Sequence, residues 1–278
     1  MQVIDAKRQA VLCWTLAPCG PALPNFVPGS KPYFDALVAD RRDWAPWLPE
    51  TLRYSESGSR DVLDVGSGQG IDLYEYASAG ARAVGIDLTP RHVELATAHL
   101  AASSLSARII EGDAEAMPFP TDSFDLVSSN GVLHHTPNIA SALAECLRVL
   151  RPGGTFTVIL YNRHSFHYWI TQVLGHGLVR GGLFRSGSMA GVLSSTVELG
   201  SQQGARPLVR VYSPREVRQM LEDAGFESIE VFKRHFRPGE VPLTSSLPVP
   251  MGLRDALGKF GGWFVIGRAR KPASASTR

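Results

Sequence analysis

One stretch, residues 61–70, constrains the fold of this chain more than any other. It reads DVLDVGSGQG, a short apolar strand followed by three glycines that lie two positions apart. Directly after it, Ile71, Leu73, Tyr74 and Ala77 recur at the spacing of one helix face. A strand, a glycine-rich turn and a helix form the first half of a nucleotide-binding βαβ unit.

The three glycines of this turn, Gly66, Gly68 and Gly70, have a physical reason to be there. A strand that turns at once into a helix needs backbone angles that only glycine reaches cheaply, and a ligand resting on the turn must approach bare backbone. The N-terminus of the new helix presents unpaired N–H groups and a partial positive charge. The turn is therefore predicted to hold a ligand that carries a carboxylate or another anion.

The spacing around the turn narrows the choice of ligand. The glycines follow the pattern Asp-x-Gly-x-Gly-x-Gly, beginning at Asp64, and differ from the Gly-x-Gly-x-x-Gly pattern of dinucleotide sites. The next predicted strand, 82–86, ends at Asp87, about 20 residues after the first glycine, where a carboxylate can accept hydrogen bonds from ribose hydroxyls. In these features the chain resembles the class I S-adenosylmethionine-dependent methyltransferases.

Two further stretches carry the same resemblance. A third predicted strand, 107–110, runs into EGDAE, and the segment 148–154 reads RVLRPGG, a helix stop and tight turn typical of this family. Within the family the likeness is to the small-molecule and quinone-biosynthesis enzymes of the type 11 group. It is specific over residues 58–160, loose over 213–268, and says little about 1–57 and 161–212.

The resemblance implies a set of residues that bind S-adenosylmethionine. The glycine turn would hold its methionine part, the acid after the second strand its ribose, and the acid after the third strand its adenine amino group. The end of the fourth strand and Tyr33 or Arg42 of the N-terminal segment are expected to contact it too. The expected cofactor-binding residues are Asp64, Gly66, Ser67, Gly68, Gly70, Asp87, Leu88, Asp113, Ala114, Asn130 and Tyr33.

Two adjacent histidines, His134 and His135, follow the fourth predicted strand and are the candidate catalytic residues. If the methyl acceptor is a hydroxyl, a base must remove its proton, and histidine suits this near neutral pH. Adjacent side chains of an extended segment cannot both point into one pocket, so we expect His135 to be the base and His134 to pack or to satisfy backbone groups. His164 and His167 have no apparent third ligand, so no metal site is predicted.

The order of the predicted elements gives the fold class. Strands and helices alternate over 58–160 and resume after residue 212, which predicts an α/β, Rossmann-like doubly wound sheet of about seven strands. The sheet is expected to be mostly parallel with an antiparallel last strand. The expected segments are an N-terminal helical cap or lid (1–57), the cofactor-binding core (58–160), a substrate-side insertion (161–212), completion of the core sheet (213–270) and a disordered tail (271–278).

Composition bounds the cellular setting and the partners. The chain has 278 residues, 44% hydrophobic and 19% charged, with a net charge of +2, which gives no reason to expect nucleic acid. Its three cysteines are too few for a disulfide framework, which favours a reducing compartment and a cytoplasmic location. The sequence has no run of 18 apolar residues and no signal-peptide pattern, so no stable membrane association is expected. We expect a monomer or homodimer.

The function that these expectations favour is methyl transfer from S-adenosylmethionine to a small-molecule metabolite. The transfer would be an in-line displacement at oxygen or nitrogen, in a biosynthetic or secondary-metabolite pathway. Two alternatives stay open at this point. A nicotinamide-dependent oxidoreductase is one, since Asp87 also suits the ribose of NAD. The other is a non-catalytic cofactor-binding protein of the same fold.

Overall fold

The computed structural model describes residues 3–239 and 248–273. Of the tail predicted over 271–278, residues 271–273 follow the last strand, and 274–278 lie outside the described residues. Within the described part of the chain, no helix combines the length and the apolar character needed to cross a bilayer.

A single twisted sheet organises the described residues. Its seven strands run in the order β3-β2-β1-β4-β5-β7-β6, and all neighbours are parallel except β7, which pairs antiparallel with β5 and β6. This arrangement confirms the predicted fold class. The strands are β1 (Asp61–Val65), β2 (Arg82–Asp87), β3 (Arg108–Glu111), β4 (Phe124–Asn130), β5 (Leu150–Tyr161), β6 (Glu227–Arg234) and β7 (Phe264–Arg270).

Helices cover both faces of the sheet and its carboxyl edge. The α-helices of the described residues are α1 (Val3–Leu16), α2 (Lys31–Trp44), α3 (Leu48–Leu52), α4 (Ile71–Ser78), α5 (Pro90–Ala102), α6 (Ile139–Val149), α7 (Gly182–Ser186), α8 (Met189–Thr196), α9 (Pro214–Asp223) and α10 (Met251–Gly261). Short 3₁₀ turns occupy Tyr54–Glu56, Leu133–His135 and Leu199–Gln203, and a π-type helix spans His167–Val179.

The core lies on both faces of the central strands because a parallel sheet is covered on both sides. One apolar layer joins β1, β4 and β5 to α6 and α9, and a second packs the opposite face against α3, α4 and the insertion. The stripe of α6 that faces the first layer includes Ala142, Leu143, Cys146 and Val149, all buried. The sheet is therefore a rigid support for the loops at its carboxyl edge.

Two segments lie over that carboxyl edge. Helix α1 packs on the 3₁₀ turn of the insertion at a small residue, since a Cβ on Gly200 would lie 2.6 Å from the sulfur of Cys13. The backbone N–H of Arg206 donates to the side chain of Gln9 at 2.7 Å, which ties α1 to the insertion again. Residues 3–57 and 161–212 therefore cover the same end of the sheet.

Candidate active site

The glycine turn and the segment after β4 meet at the point where the strand order reverses, between β1 and β4. In open α/β sheets, ligands bind outside the carboxyl ends of the strands at this position. The turn wraps tightly over β2, because the backbone N–H groups of Gly66 and Ser67 both donate to the carbonyl of Ile86, at 2.7 and 3.1 Å. All three glycines have positive φ values of 53–77°, so the sequence-based reason for glycine holds in the structure.

Asp87, at the end of β2, lies at the centre of a buried hydrogen-bond network. Its carboxylate accepts from the backbone N–H of Gly68 at 2.8 Å and of Thr89 at 2.9 Å, and lies 3.2 Å from Nδ1 of His92. Burial alone would raise the pKa of Asp87, but the hydrogen bond to His92 and the charge of His92 hold it below its ordinary value. Asp87 is thus kept as an anion directly behind the glycine turn.

Two adjoining cavities open at this edge of the sheet. The first, of about 150 Å³, is formed by the glycine turn, by the ends of β2 and β4 and by α1. The second, of about 500 Å³, lies between α2, the insertion and the end of β5. Trp14, Cys19, Arg41 and Asn130 line both cavities, so these residues mark where the two meet.

Most of the predicted site residues come together around the first cavity. Those that line it are Gly66, Ser67, Gly68, Asp87, Leu88, Asp113, Ala114, Asn130 and His135. Asp64, Gly70, Tyr33 and His134 are absent from its lining within the described residues. The geometry therefore divides the predicted set into residues that face the cavity and residues that support its walls.

The supporting residues have identifiable contacts. Asp64 is almost fully buried in β1, and its burial raises its pKa well above the ordinary value. Gly70 packs closely against Ala96. Tyr33, predicted to contact the cofactor, donates its hydroxyl to Gln69 at 2.8 Å behind the turn. Gln69 in turn donates to the carbonyl of Cys19 at 2.5 Å, so this chain of contacts positions Cys19 over the turn.

Arg41 was missing from the predicted set although it reaches the junction of the cavities. Its guanidinium lies 3.5 Å from Asp72. Burial alone would lower the pKa of Arg41, but the carboxylate of Asp72 keeps that pKa above its ordinary value. Asp72 also accepts hydrogen bonds from Tyr54 and Asn130, at 2.8 and 2.9 Å. Arg42, the sequence-based candidate, faces away and pairs with Glu75 at 2.8 Å. Arg41 is thus a fixed cation at the cavity wall.

Helix α1 closes the first cavity through an ion-pair cluster. The ammonium group of Lys7 lies 2.5 Å from Asp113 and 2.7 Å from Glu115. Those carboxylates raise the pKa of Lys7 although burial alone would lower it. Trp14, on the same helix, packs edge-on to His135 with ring centroids 5.3 Å apart. Helix α1 therefore covers the first cavity through the contacts of two of its residues, Lys7 and Trp14.

The two adjacent histidines have different surroundings. His135 lines the first cavity, its Nδ1 lies 2.7 Å from the carbonyl of Leu208, and its Nε2 lies 3.4 Å from Glu198. His134 is fully buried, and neither of its ring nitrogens has a hydrogen-bond partner among the described residues. Burial and the neighbouring His135 lower the pKa of His134 well below its ordinary value. The structure therefore leaves His135, and not His134, as the histidine that faces the cavity.

Glu198 is a second residue that sequence reasoning did not find. It lies in the insertion between α8 and the 3₁₀ turn, it lines the second cavity, and it accepts a hydrogen bond from the hydroxyl of Tyr161 at 2.8 Å. Ligand atoms of His134, His135 and Glu198 lie within 4.8 Å of one another, close enough to be considered as a metal site, which the sequence did not suggest.

Taken together, the sheet order and the glycine turn with its downstream aspartate define a protein that binds a nucleoside-containing cofactor at a switch point. Comparison with known proteins identifies the cofactor. A family model for the methyltransferase domain matches residues 63–158. The ubiquinone/menaquinone biosynthesis C-methyltransferase UbiE of Geotalea daltonii is 32% identical over 174 residues, which cover 58% of this chain and 72% of that protein.

Another relative agrees with this identification, and a solved structure shares the fold. The ubiquinone biosynthesis O-methyltransferase of Thiobacillus denitrificans is 29% identical over 68% of this chain and 76% of its own. The fold matches a putative methyltransferase from Bacillus halodurans, with a TM-score of 0.54 and 21% identity over 82% of this chain and all of that one. The chain belongs to the class I S-adenosylmethionine-dependent methyltransferases.

The geometry of the turn fits this cofactor, S-adenosylmethionine. A Cβ on Gly66 would overlap the side chain of Val132, and one on Gly68 would lie 2.5 Å from the sulfur of Cys19, so the turn has no room for larger residues, and both glycines line the first cavity with backbone alone. The hydroxyl of Ser67 is buried at the same place and has no hydrogen-bond partner in the described part of the chain. Family membership therefore decides against the alternative of a nicotinamide-dependent oxidoreductase.

Proposed function

We propose that this enzyme transfers a methyl group to a hydroxyl of a small, ring-containing, mostly apolar molecule. One observation carries the proposal: His135, which lines the first cavity, and Glu198, which lines the second, lie 3.4 Å apart. A group that can take a proton is thus placed where a cofactor in the first cavity and an acceptor in the second would meet. The acceptor atom in this proposal is oxygen.

In this proposal one cation and two carboxylates of the first cavity hold the cofactor. Arg41 would bind its carboxylate, Asp87 its ribose hydroxyls, and Asp113 its adenine amino group. When bound, S-adenosylmethionine supplies a methyl group activated by its positively charged sulfur, so the protein needs to provide only alignment and proton removal. The residues that would hold it are the turn from Gly66 to Gly70, with Arg41, Asp87, Leu88, Asp113, Ala114 and Asn130.

The hydrogen bonds around His135 favour a role as general base. If Nδ1 donates its proton to the carbonyl of Leu208, Nε2 of the neutral ring carries the lone pair that can accept a proton. The carboxylate of Glu198 lies beside Nε2 and would stabilise the imidazolium formed when the acceptor hydroxyl is deprotonated. Tyr161, which donates to Glu198, would hold that carboxylate in place.

The walls of the second cavity support an apolar acceptor with a ring. Trp44, Tyr161, Val197, Leu199 and Phe264 supply aromatic and aliphatic surface. Polar side chains are fewer there and include Asp40, Glu198 and Arg237. The names of the two relatives associate them with quinone biosynthesis, one as an O- and one as a C-methyltransferase. A hydroxylated aromatic compound, in a biosynthetic or secondary-metabolite pathway, satisfies both lines of support.

Replacing His135 tests the proposal directly. We expect His135→Ala to slow methyl transfer from labelled cofactor to hydroxylated aromatic acceptors by about 10²–10⁴-fold, the usual contribution of a general base. Titration with S-adenosylhomocysteine should show nearly unchanged affinity, which separates chemistry from binding. His164→Ala is the matched control, since His164 is exposed and absent from the lining of both described cavities. A loss of less than about tenfold would show that His135 is not the base.

Two further measurements separate the proposal from its alternatives. A chelator should leave the rate unchanged, whereas a loss restored by a divalent cation would make His134, His135 and Glu198 metal ligands. The non-catalytic alternative predicts tight binding of S-adenosylhomocysteine with no labelled product from any acceptor, including a cell extract.

A further inference from the structure

The cysteines of the chain have different surroundings. Cys13 and Cys146 are fully buried in apolar packing, on α1 and α6. Cys19 is only half-buried, follows α1 in a turn rich in proline and glycine, and lines both cavities at their junction. A small molecule that enters either cavity would therefore meet Cys19, whereas packing shields the other two.

Cys19 lies at the end of a row of three titratable groups. The backbone nitrogen of Cys19 lies 3.4 Å from Nε2 of His92, its thiol faces the same ring, and Nδ1 of His92 lies 3.2 Å from Asp87. A thiol, an imidazole and a carboxylate in this order form the arrangement that activates nucleophilic cysteines. In this chain the carboxylate is the predicted ribose ligand, so the row is built into the cofactor site.

The charges around the sulfur favour its thiolate form. Burial alone would raise the pKa of Cys19, but His92 and, less strongly, Arg41 bring it below its ordinary value. The side chain of Tyr33, on α2, also faces the thiol of Cys19. The charges of Cys19 and Asp87 raise the pKa of His92 to about 10 although burial opposes this. By contrast, burial raises the pKa of Cys13 to about 12 and that of Cys146 further.

The position of the sulfur determines what an adduct would block. A Cβ built on Gly68 would lie 2.5 Å from Sγ of Cys19, so the sulfur packs directly against the glycine turn at the wall of the first cavity. The carbonyl of Cys19 is fixed by Gln69, which holds the residue against that turn. A group attached to Sγ would therefore occupy the space that the cofactor needs.

We propose that Cys19 is a modification site for small uncharged electrophiles of the α,β-unsaturated carbonyl class, and that its adduct excludes the cofactor. In the addition, the sulfur of the thiolate forms a bond to the β carbon, and the carbon–carbon π pair moves onto the α carbon. That carbon takes a proton from the His92 imidazolium, so nothing leaves and no oxidant is needed. The site depends on cofactor binding alone and not on the identity of the methyl acceptor.

Competitive labelling of the full-length protein with N-ethylmaleimide tests the proposal. At about pH 6.5, mass spectrometry of peptides should find the label on Cys19 at least about tenfold faster than on Cys13 or Cys146. Saturating S-adenosylhomocysteine should slow labelling of Cys19 by about tenfold or more, and the labelled protein should no longer bind it in a titration. Equal labelling of the three cysteines, or labelling of Cys19 that the ligand does not slow, would overturn the proposal.

A variant of His92 tests the cause of the reactivity. His92→Asn should slow labelling of Cys19 at about pH 6.5 by about tenfold and bring its pH dependence toward that of an ordinary thiol. Cys146 reports folding in the same sample, because it stays unlabelled only while the core is intact. An unchanged rate with Cys146 still protected would show that His92 does not activate Cys19. These readouts need no methyl acceptor, so they stand or fall separately from the proposed transfer reaction.

Discussion

The contact between helix α1 and the first cavity leads to a prediction about cofactor entry. The cavity has a volume of about 150 Å³, whereas ligand pockets usually have about 300–1,000 Å³. Lys7 of α1 pairs with Asp113, the carboxylate proposed to bind the adenine, and with Glu115 beside it. We therefore expect loading of the cofactor to displace α1 and to break both ion pairs. Replacing Lys7 by methionine removes the charge and keeps most of the apolar stem.

The expected size of the effect follows from the exposure of the three side chains. Lys7, Asp113 and Glu115 are 24%, 31% and 11% exposed, so the pairs are only partly shielded from water. Pairs of this kind contribute about 0.2–1 kcal/mol each. Two of them stabilise the closed arrangement by about 0.4–2 kcal/mol, and removing them should tighten cofactor binding by about 2- to 30-fold.

Titration calorimetry with S-adenosylhomocysteine measures this difference. Lys31→Met is the matched control, because Lys31 forms an exposed pair with Asp35 on α2 and lines neither described cavity. Its affinity should equal that of the wild type. Raising the salt concentration should tighten binding to the wild type more than to Lys7→Met, since screening weakens the same pairs. Weaker binding by Lys7→Met would refute the reasoning and show that Lys7 contacts the cofactor.

Two further predictions concern the glycine turn and Asp61, the first residue of β1. Gly68→Ala should weaken S-adenosylhomocysteine binding by at least about tenfold, whereas Gly80→Ala, with a similar backbone strain of about 1–2 kcal/mol and open space around it, should lose stability only. Hydrogen bonds from Arg82, and then from Arg151, lower the pKa of Asp61 from 3.8 to about 2, so its stabilising contribution is complete above pH 3.8 and disappears as pH falls toward 2. In Asp61→Asn the free energy of unfolding should therefore depend less steeply on pH below pH 3.8 than in the wild type. Denaturant melts at several pH values measure this, and an unchanged pH dependence would contradict the prediction.

The sheet and the turn could be predicted because each depends on residues close in sequence. The glycines, the acid after β2 and the apolar strands are local patterns that follow from backbone geometry and burial. Helix α10, Met251–Gly261, begins directly after Pro250, and the sequence pattern did not predict a helix there. Most of its side chains are exposed, so only a weak apolar stripe marks it in the sequence.

The residues that sequence reasoning missed reach the site from segments with no motif. Arg41 did leave a signal, since it continues the buried stripe of Phe34, Leu37 and Val38 at helical spacing, and a charge at such a position needs a partner inside. Glu198 left no such signal in the sequence, because its proposed role depends on a contact with His135, which lies more than sixty positions away in the chain. The proposed cofactor half of the site could thus be predicted from local sequence patterns. The proposed acceptor half is created by the packing of α1, α2 and the insertion, so under this proposal substrate choice would change through those segments while the cofactor turn stays the same.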